Sequence, residues 1–296
     1  MHGGNAQAPA VTQASDQQEI FDRRLRRMRR DRALANFAAH DFLYQHMADE
    51  LVDRLGDVKR DFHRALLIGT PDAFLRDRLT VAGMSVVCTD PGFANCRAVG
   101  GVQADEDALP FADACFDLVM TCGTLDSVND LPGALILIRR LLRPDGLFLG
   151  AFAGAGTLSV LRSALLTGEG ERPAPHIHPQ VDVRSAGDLL TRAGFAMPVA
   201  DAESLAVRYS GLFPLMADLR GMGASNILSS RPPHMTRAML GRAAEAFAAA
   251  ADSDGKTAEQ FSIIYLSGWA PDPSQPKAAR RGSATVSLAD ALRKKN

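Results

Sequence analysis

Two aspartates stand where the chain could hold a nucleoside. Asp90 ends the run Ser85-Val86-Val87-Cys88-Thr89 and lies 21 residues after Gly69, close to the ~20-residue spacing of nucleotide-binding βαβ units. A carboxylate at the end of a second strand is placed to accept hydrogen bonds from ribose hydroxyls. Asp105 precedes Leu109-Pro110-Phe111, and a carboxylate in such a loop can accept from an exocyclic amine like that of adenine. Thr121 to Thr124 close another apolar run, Phe116 to Cys122. Each acid taken alone is also an ordinary surface turn residue. His176 and His178 are two apart in Pro173-Ala174-Pro175-His176-Ile177-His178-Pro179. In an extended segment such side chains point the same way, which makes half of a metal site. Asp182 is near, but no ligand set is complete, so no metal is expected, and histidines hydrogen-bonded in a substrate loop are the plainer reading. Tyr209 and Arg220 are candidates for substrate or partner contact.

These residues need elements to position them. Ala65 to Ile68 is a short apolar run stopped by Gly69, the pattern of a strand buried on both faces. The stretch 71–82 reads as a helix with Pro71 at its first position. Ser85–Thr89, Phe116–Cys122 and Leu147–Ala151 read as further strands. The periodicity of 42–59 and of 131–142 is helical, and Pro144-Asp145-Gly146 reads as a turn. Strand–helix alternation with short connections gives an α/β fold: a mostly parallel sheet with helices on both faces. Ligands bind such sheets at the carboxyl ends of the strands, where Gly69, Asp90, Asp105 and Thr121 lie. FSIIYLSGW, 261–269, reads as a final strand with Trp269 in the core, and Met216, Met222, Met235 and Met239 as packing residues.

The chain has 296 residues, 23% charged and 46% hydrophobic, an average globular balance. It contains no apolar run of transmembrane length, no G-x-S-x-G elbow and no phosphate-binding P-loop. Cys88, Cys96, Cys115 and Cys122 form no CxxC pair and are expected to be buried thiols in a reducing compartment. Net charge is −1 but polarised. Residues 22–32 carry seven arginines against two aspartates, and the last twenty residues are again basic. An acidic body between basic ends does not suit a nucleic-acid reader. The arginine run suits a solvated first helix, or contact with an acidic partner, an anionic lipid surface or the chain's own acidic body. Residues 1–18 are expected to be a disordered tail, 19–270 one domain with a helical insert or cap at 155–235, and 271–296 a basic, disordered tail.

The order of VVCTD ending at Asp90, ADEDALPF from Ala104, FDLVMT from Phe116 and LLRPDGLFLG around Pro144 resembles the class I S-adenosylmethionine-dependent methyltransferase superfamily. The strings HIHP from His176, LLTRAGF from Leu189, YSGLFPLMADLRGMGASN from Tyr209 and IYLSGW from Ile264 narrow the resemblance, as does IFDRRLRR from Ile20. They are similar to the family of complex I assembly factors that hydroxylate an arginine, with its bacterial relatives. The resemblance implies a Rossmann-like methyltransferase fold and a role in respiratory complex I assembly, with a protein arginine as target. It implies S-adenosylmethionine held by Gly69, Asp90, Asp105 and Thr121. His176, His178 and Tyr209 would then contact substrate or partner. The implied partner is a protein substrate or an assembly intermediate of complex I, with peripheral membrane contact through 22–32. The implied location is the cytoplasm, at the inner membrane face of a bacterium, or alternatively the mitochondrial matrix.

The sequence departs from the superfamily at the cofactor loop. Where D/E-x-G-x-G-x-G is usual, this chain has Leu67, Gly69, Pro71 and Ala73. Leucine cannot hydrogen-bond the cofactor's amino group, and Pro71 has no N–H. Losing one charged partner costs about 1.5–3 kcal/mol, roughly ten- to a hundredfold in affinity. After the fourth strand, Thr124-Leu125-Asp126-Ser127 lacks the aromatic that lines the adenine pocket elsewhere. Two readings follow: a remodelled cofactor site in an enzyme, or a decayed site in a non-catalytic assembly factor.

Overall fold

The computed structural model describes residues 19–171 and 173–275. The expectations for 1–18 and for the tail beyond 275 lie outside the described residues. Asp22 caps the first helix, α1 (Arg23–Leu34), by accepting from Leu25 N at 2.9 Å. α2 (Phe42–Gly56) follows, burying Leu43, Met47 and Leu51. Then β1 (Arg64–Ile68), α3 (Phe74–Val81), β2 (Ser85–Asp90), α4 (Phe93–Val99), β3 (Val102–Gln103) and β4 (Phe116–Cys122) alternate. α5 (Leu131–Leu141) leads directly into β5 (Leu142–Ala153). The remainder is α6 (Ser159–Glu169), α7 (Val183–Ala193), β6 (Ala196–Tyr209), α8 (Leu212–Gly221), α9 (Arg237–Ala249) and β7 (Thr257–Trp269).

The strands form one sheet in the order β3-β2-β1-β4-β5-β7-β6. β1 to β5 run parallel; β7 is antiparallel to β5 and to β6. Side chains alternate across a strand, so β1 feeds two cores. Leu67 joins Leu51, Met120, Phe247 and Phe261 on one face. Leu66 and Ile68 join Ile138, Phe148, Phe152 and Leu190 on the other. The strand order reverses between β1 and β4, which opens the ligand crevice of this sheet type at their carboxyl ends.

Three expectations need correction. The helix expected from Pro71 begins at Phe74, because the Asp72 carboxylate takes the Phe74 N–H at 3.0 Å and holds 71–73 as a turn. The segment 155–235 is not purely helical: β6 contributes a full edge strand, paired with β7 from Ala196 to Tyr209. Pro144-Asp145-Gly146 does not separate helix from strand but lies inside β5, with Asp145 at φ 61° and the β4–β5 register shifting between Phe116 and Leu118. Trp269 is only half-buried at the sheet's end, with the Arg60 guanidinium 5.8 Å from its ring. All four cysteines are free; Cys88, Cys96 and Cys122 are buried and Cys115 half-buried. Among the described residues no helix is long and apolar enough to cross a membrane.

Candidate functional site

Gly69 ends β1 at φ 80°, a conformation that favours glycine. Its N–H donates to Thr89 O at 2.8 Å. A Cβ added there would lie 2.0 Å from Thr124 Cγ2, so a threonine methyl occupies the space beside the glycine. Leu67 points into the core at 1% exposure, so the position of the family's acid is packed with hydrocarbon. Thr121 is 1% exposed, and its Oγ1 would meet a Cβ on Gly150 at 2.7 Å: it faces the neighbouring strand.

The acids at the strand ends are answered by α1. Arginines at 23, 26, 27 and 30 share one face of a helix by their spacing, and each finds a carboxylate. Asp90, fully buried, accepts from Arg30 Nε at 2.9 Å and from Arg30 Nη2, from Gly92 N at 2.7 Å and from Asn95 Nδ2 at 3.2 Å. Arg26 forms a two-pronged pair with the buried Glu106 at 2.6 and 2.8 Å and reaches Thr124 O at 3.1 Å. Arg23 pairs likewise with Asp107 at 2.6 and 2.7 Å, and Arg27 pairs with Asp105. Burial opposes the charges of Arg26 and Arg30, but Glu106 and Asp90 outweigh it and raise both pKa values. Burial pushes Asp107 up, and Arg23 more than reverses this. Four of the run's seven side chains are therefore bound to the chain's own acids, the last of the contacts the sequence suggests for it, while Arg24 and Arg32 are exposed. That pairing could not be seen locally, since the partners are 60 to 84 residues away.

This arrangement leaves little for S-adenosylmethionine to bind. Asp105 Oδ1, Thr121 Oγ1 and Thr124 Oγ1 are buried without hydrogen-bond partners. However, the acceptors that ribose would need on Asp90 are taken, Thr124 fills the glycine loop and Leu67 replaces the acid. In this conformation the residues do not fit the cofactor.

The open space lies on the other side of α1. A cavity of about 800 Å³ is bounded by α1, α2, α6, α8 and the loop His176–Gln180. Gly69, Asp90, Asp105, Thr121 and Tyr209 are not on its wall; His176, His178 and Arg220 are. The two histidines do not converge on a metal. His176 Nε2 lies 2.6 Å from Glu169 Oε1, and His178 Nε2 accepts from Ile227 N at 3.0 Å. Burial, then Arg29 and Arg26, lower His178 to about 4, so it is a neutral acceptor at pH 7. Among the described residues no group of three or more histidine, cysteine or acidic side chains could hold a metal. Tyr209, expected to contact substrate, is 5% exposed at the end of β6, where burial and then Asp218 raise its pKa.

Sequence reasoning passed over Asp126. It lines the cavity, and burial pushes it up to about 6, against the pull of Arg26. No ion pair neutralises it among the described residues. Its signal was the departure at 124–127: an acid stands where an aromatic-bearing motif was expected.

A methyltransferase-domain family model matches residues 66–150. The mitochondrial arginine-hydroxylase NDUFAF5 of Danio rerio is 38% identical over 285 residues, covering 92% of this chain and 89% of that protein. The Homo sapiens protein of the same name is 36% identical over 290 residues, covering 92% and 83%. Among solved structures, the YcgJ protein of Bacillus subtilis superposes with a TM-score of 0.53 at 15% identity, over 77% of this chain and 99% of that one; that likeness shows the fold alone.

Proposed function

The chain belongs to the arginine-hydroxylase NDUFAF5 family, and from that premise we propose that it hydroxylates a protein arginine during assembly of respiratory complex I. Asp126 carries the reading. A carboxylate without an ion-pair partner, set in the wall of a largely apolar cavity, is the group that a guanidinium needs. The apolar wall would take the side chain's methylene stem. Hydroxylation replaces C–H by C–OH; with dioxygen as oxidant, one oxygen atom enters the product and the other leaves as water, the two electrons and two protons this requires coming from a separate two-electron organic reductant. No step is routed through S-adenosylmethionine. Asp90 and Asp105 instead fix α1, whose adjoining face forms part of the cavity. The target is an arginine of a complex I subunit, and the place of action is the membrane face from which that complex is assembled: the cytoplasmic face in a bacterium, the matrix face in a mitochondrion.

The test is peptide mass spectrometry of complex I subunits from host cells that carry the chain, lack it, or carry Asp126→Asn. One subunit arginine should bear one extra oxygen atom only with the intact chain. Identical spectra in all three would end the proposal.

A further inference from the structure

The cavity has a cationic wall that this reading leaves unused. Arg29 and Arg32 of α1 and Arg220 of α8 all line it. None of the three has a carboxylate within ion-pair distance among the described residues. Arg29 Nη1 is buried with no hydrogen-bond partner. Burial, then the charges of Arg231 and Arg32, depress its pKa. The contrast is within one helix: Arg23, Arg26, Arg27 and Arg30 are each matched to an acid, while Arg29 and Arg32, on the cavity side, are not. The Arg29 side chain is half-buried, with Arg32 and Arg220 exposed beside it, and a buried guanidinium nitrogen without a partner is costly unless something else supplies the acceptor. Among the described residues Asp126 is the only carboxylate on the wall, so the positive charges outnumber it. Between these charges the surface is hydrocarbon, from Leu43, Leu158, Leu161 and Phe261 among others.

We propose that this cavity binds an organic carboxylate with an apolar body. Its head would sit among Arg29, Arg32 and Arg220, where guanidinium groups take carboxylate oxygens in pairs. Its body would lie along the leucines and Phe261. About 800 Å³ of concave, mostly apolar space with a few convergent polar groups is the usual form of a small-molecule site. A phosphate ion would satisfy the arginines but leave the apolar wall unused. The bound anion also removes the positive field that opposes a guanidinium approaching Asp126, so anion and substrate arginine bind with positive cooperativity. The inference does not depend on hydroxylase activity, because its readout is binding.

The experiment is calorimetric titration of the full chain with decanoate as probe, against decan-1-ol, which has the same body and no charge. Decanoate is expected to bind at micromolar concentration. Arg29→Gln and Arg220→Gln should each weaken it by about tenfold or more, without changing decan-1-ol binding or lowering the melting temperature. Should Arg29→Gln fail to fold, Arg220→Gln decides. Equal binding of the two probes, no decanoate binding up to millimolar, or indifference to both substitutions overturns the proposal. So does inorganic phosphate binding as tightly as decanoate.

Discussion

Arg30 approaches Asp90 with two guanidinium nitrogens, and the other lone pairs of that carboxylate go to Gly92 and Asn95. Removing the arginine alone leaves a buried anion without its counter-charge, which typically costs 3–5 kcal/mol, whereas replacing both partners by apolar groups is often tolerated. Arg30→Ala should therefore lower stability by roughly 3–5 kcal/mol in urea denaturation, and Arg30→Met with Asp90→Leu should recover most of it. Titration of the unaltered chain with S-adenosylmethionine should give no binding heat; micromolar binding would mean that α1 leaves the strand ends. Asp126 is governed by burial instead. Its pKa is raised from 3.8 to about 6, so the folded state keeps a proton that the unfolded state has lost. Stability attributable to Asp126 is then present below about pH 4 and falls as pH rises toward about 6. Relative to Asp126→Asn, the unaltered chain should lose stability across that window, as paired melting curves would show. Capture of an arginine side chain should run the opposite way, rising as the carboxylate ionises.

Glu259 in β7 reaches the first turn of α6, where its carboxylate accepts from Val160 N at 3.1 Å and Leu161 N at 2.7 Å. It is fully buried and has no basic partner among the described residues. The exposed N–H groups and positive end of the helix dipole serve in place of one. Glu259→Ala should cost about 1–3 kcal/mol, and because α6 forms one wall of the cavity, probe binding there should weaken with it. β1 and β4, buried between the two cores, were legible from their apolar runs, and β2, buried only in its second half, from its β-branched residues. β6 was not. As an edge strand it alternates weakly and carries Pro198, Asp201 and Glu203 among mostly exposed residues, so its form comes from the ladder to β7 rather than from its own pattern. Pro71 misled for a related reason: proline suits a helix start, but the Asp72 carboxylate claims the Phe74 N–H first.

Across the whole molecule, the candidate acids could be read from the sequence and their answering arginines could not. A cation count gives no address, and α1 is bound to residues far along the chain. The cavity was equally hidden, since its wall is drawn from α1, α2, α6, α8 and the loops between them. The same long reach has a temporal consequence. Asp22 N donates to Ile227 O, and Phe21 bridges to Leu228. During synthesis, therefore, the arginine helix leaves the ribosome before the residues that hold it. Its acids emerge 60 to 84 residues later, and the segment that seats its first turn comes only after about two hundred. Until its acids have been made a strongly basic helix stands unpaired, and the seam at its first turn closes only once Ile227 and Leu228 have followed.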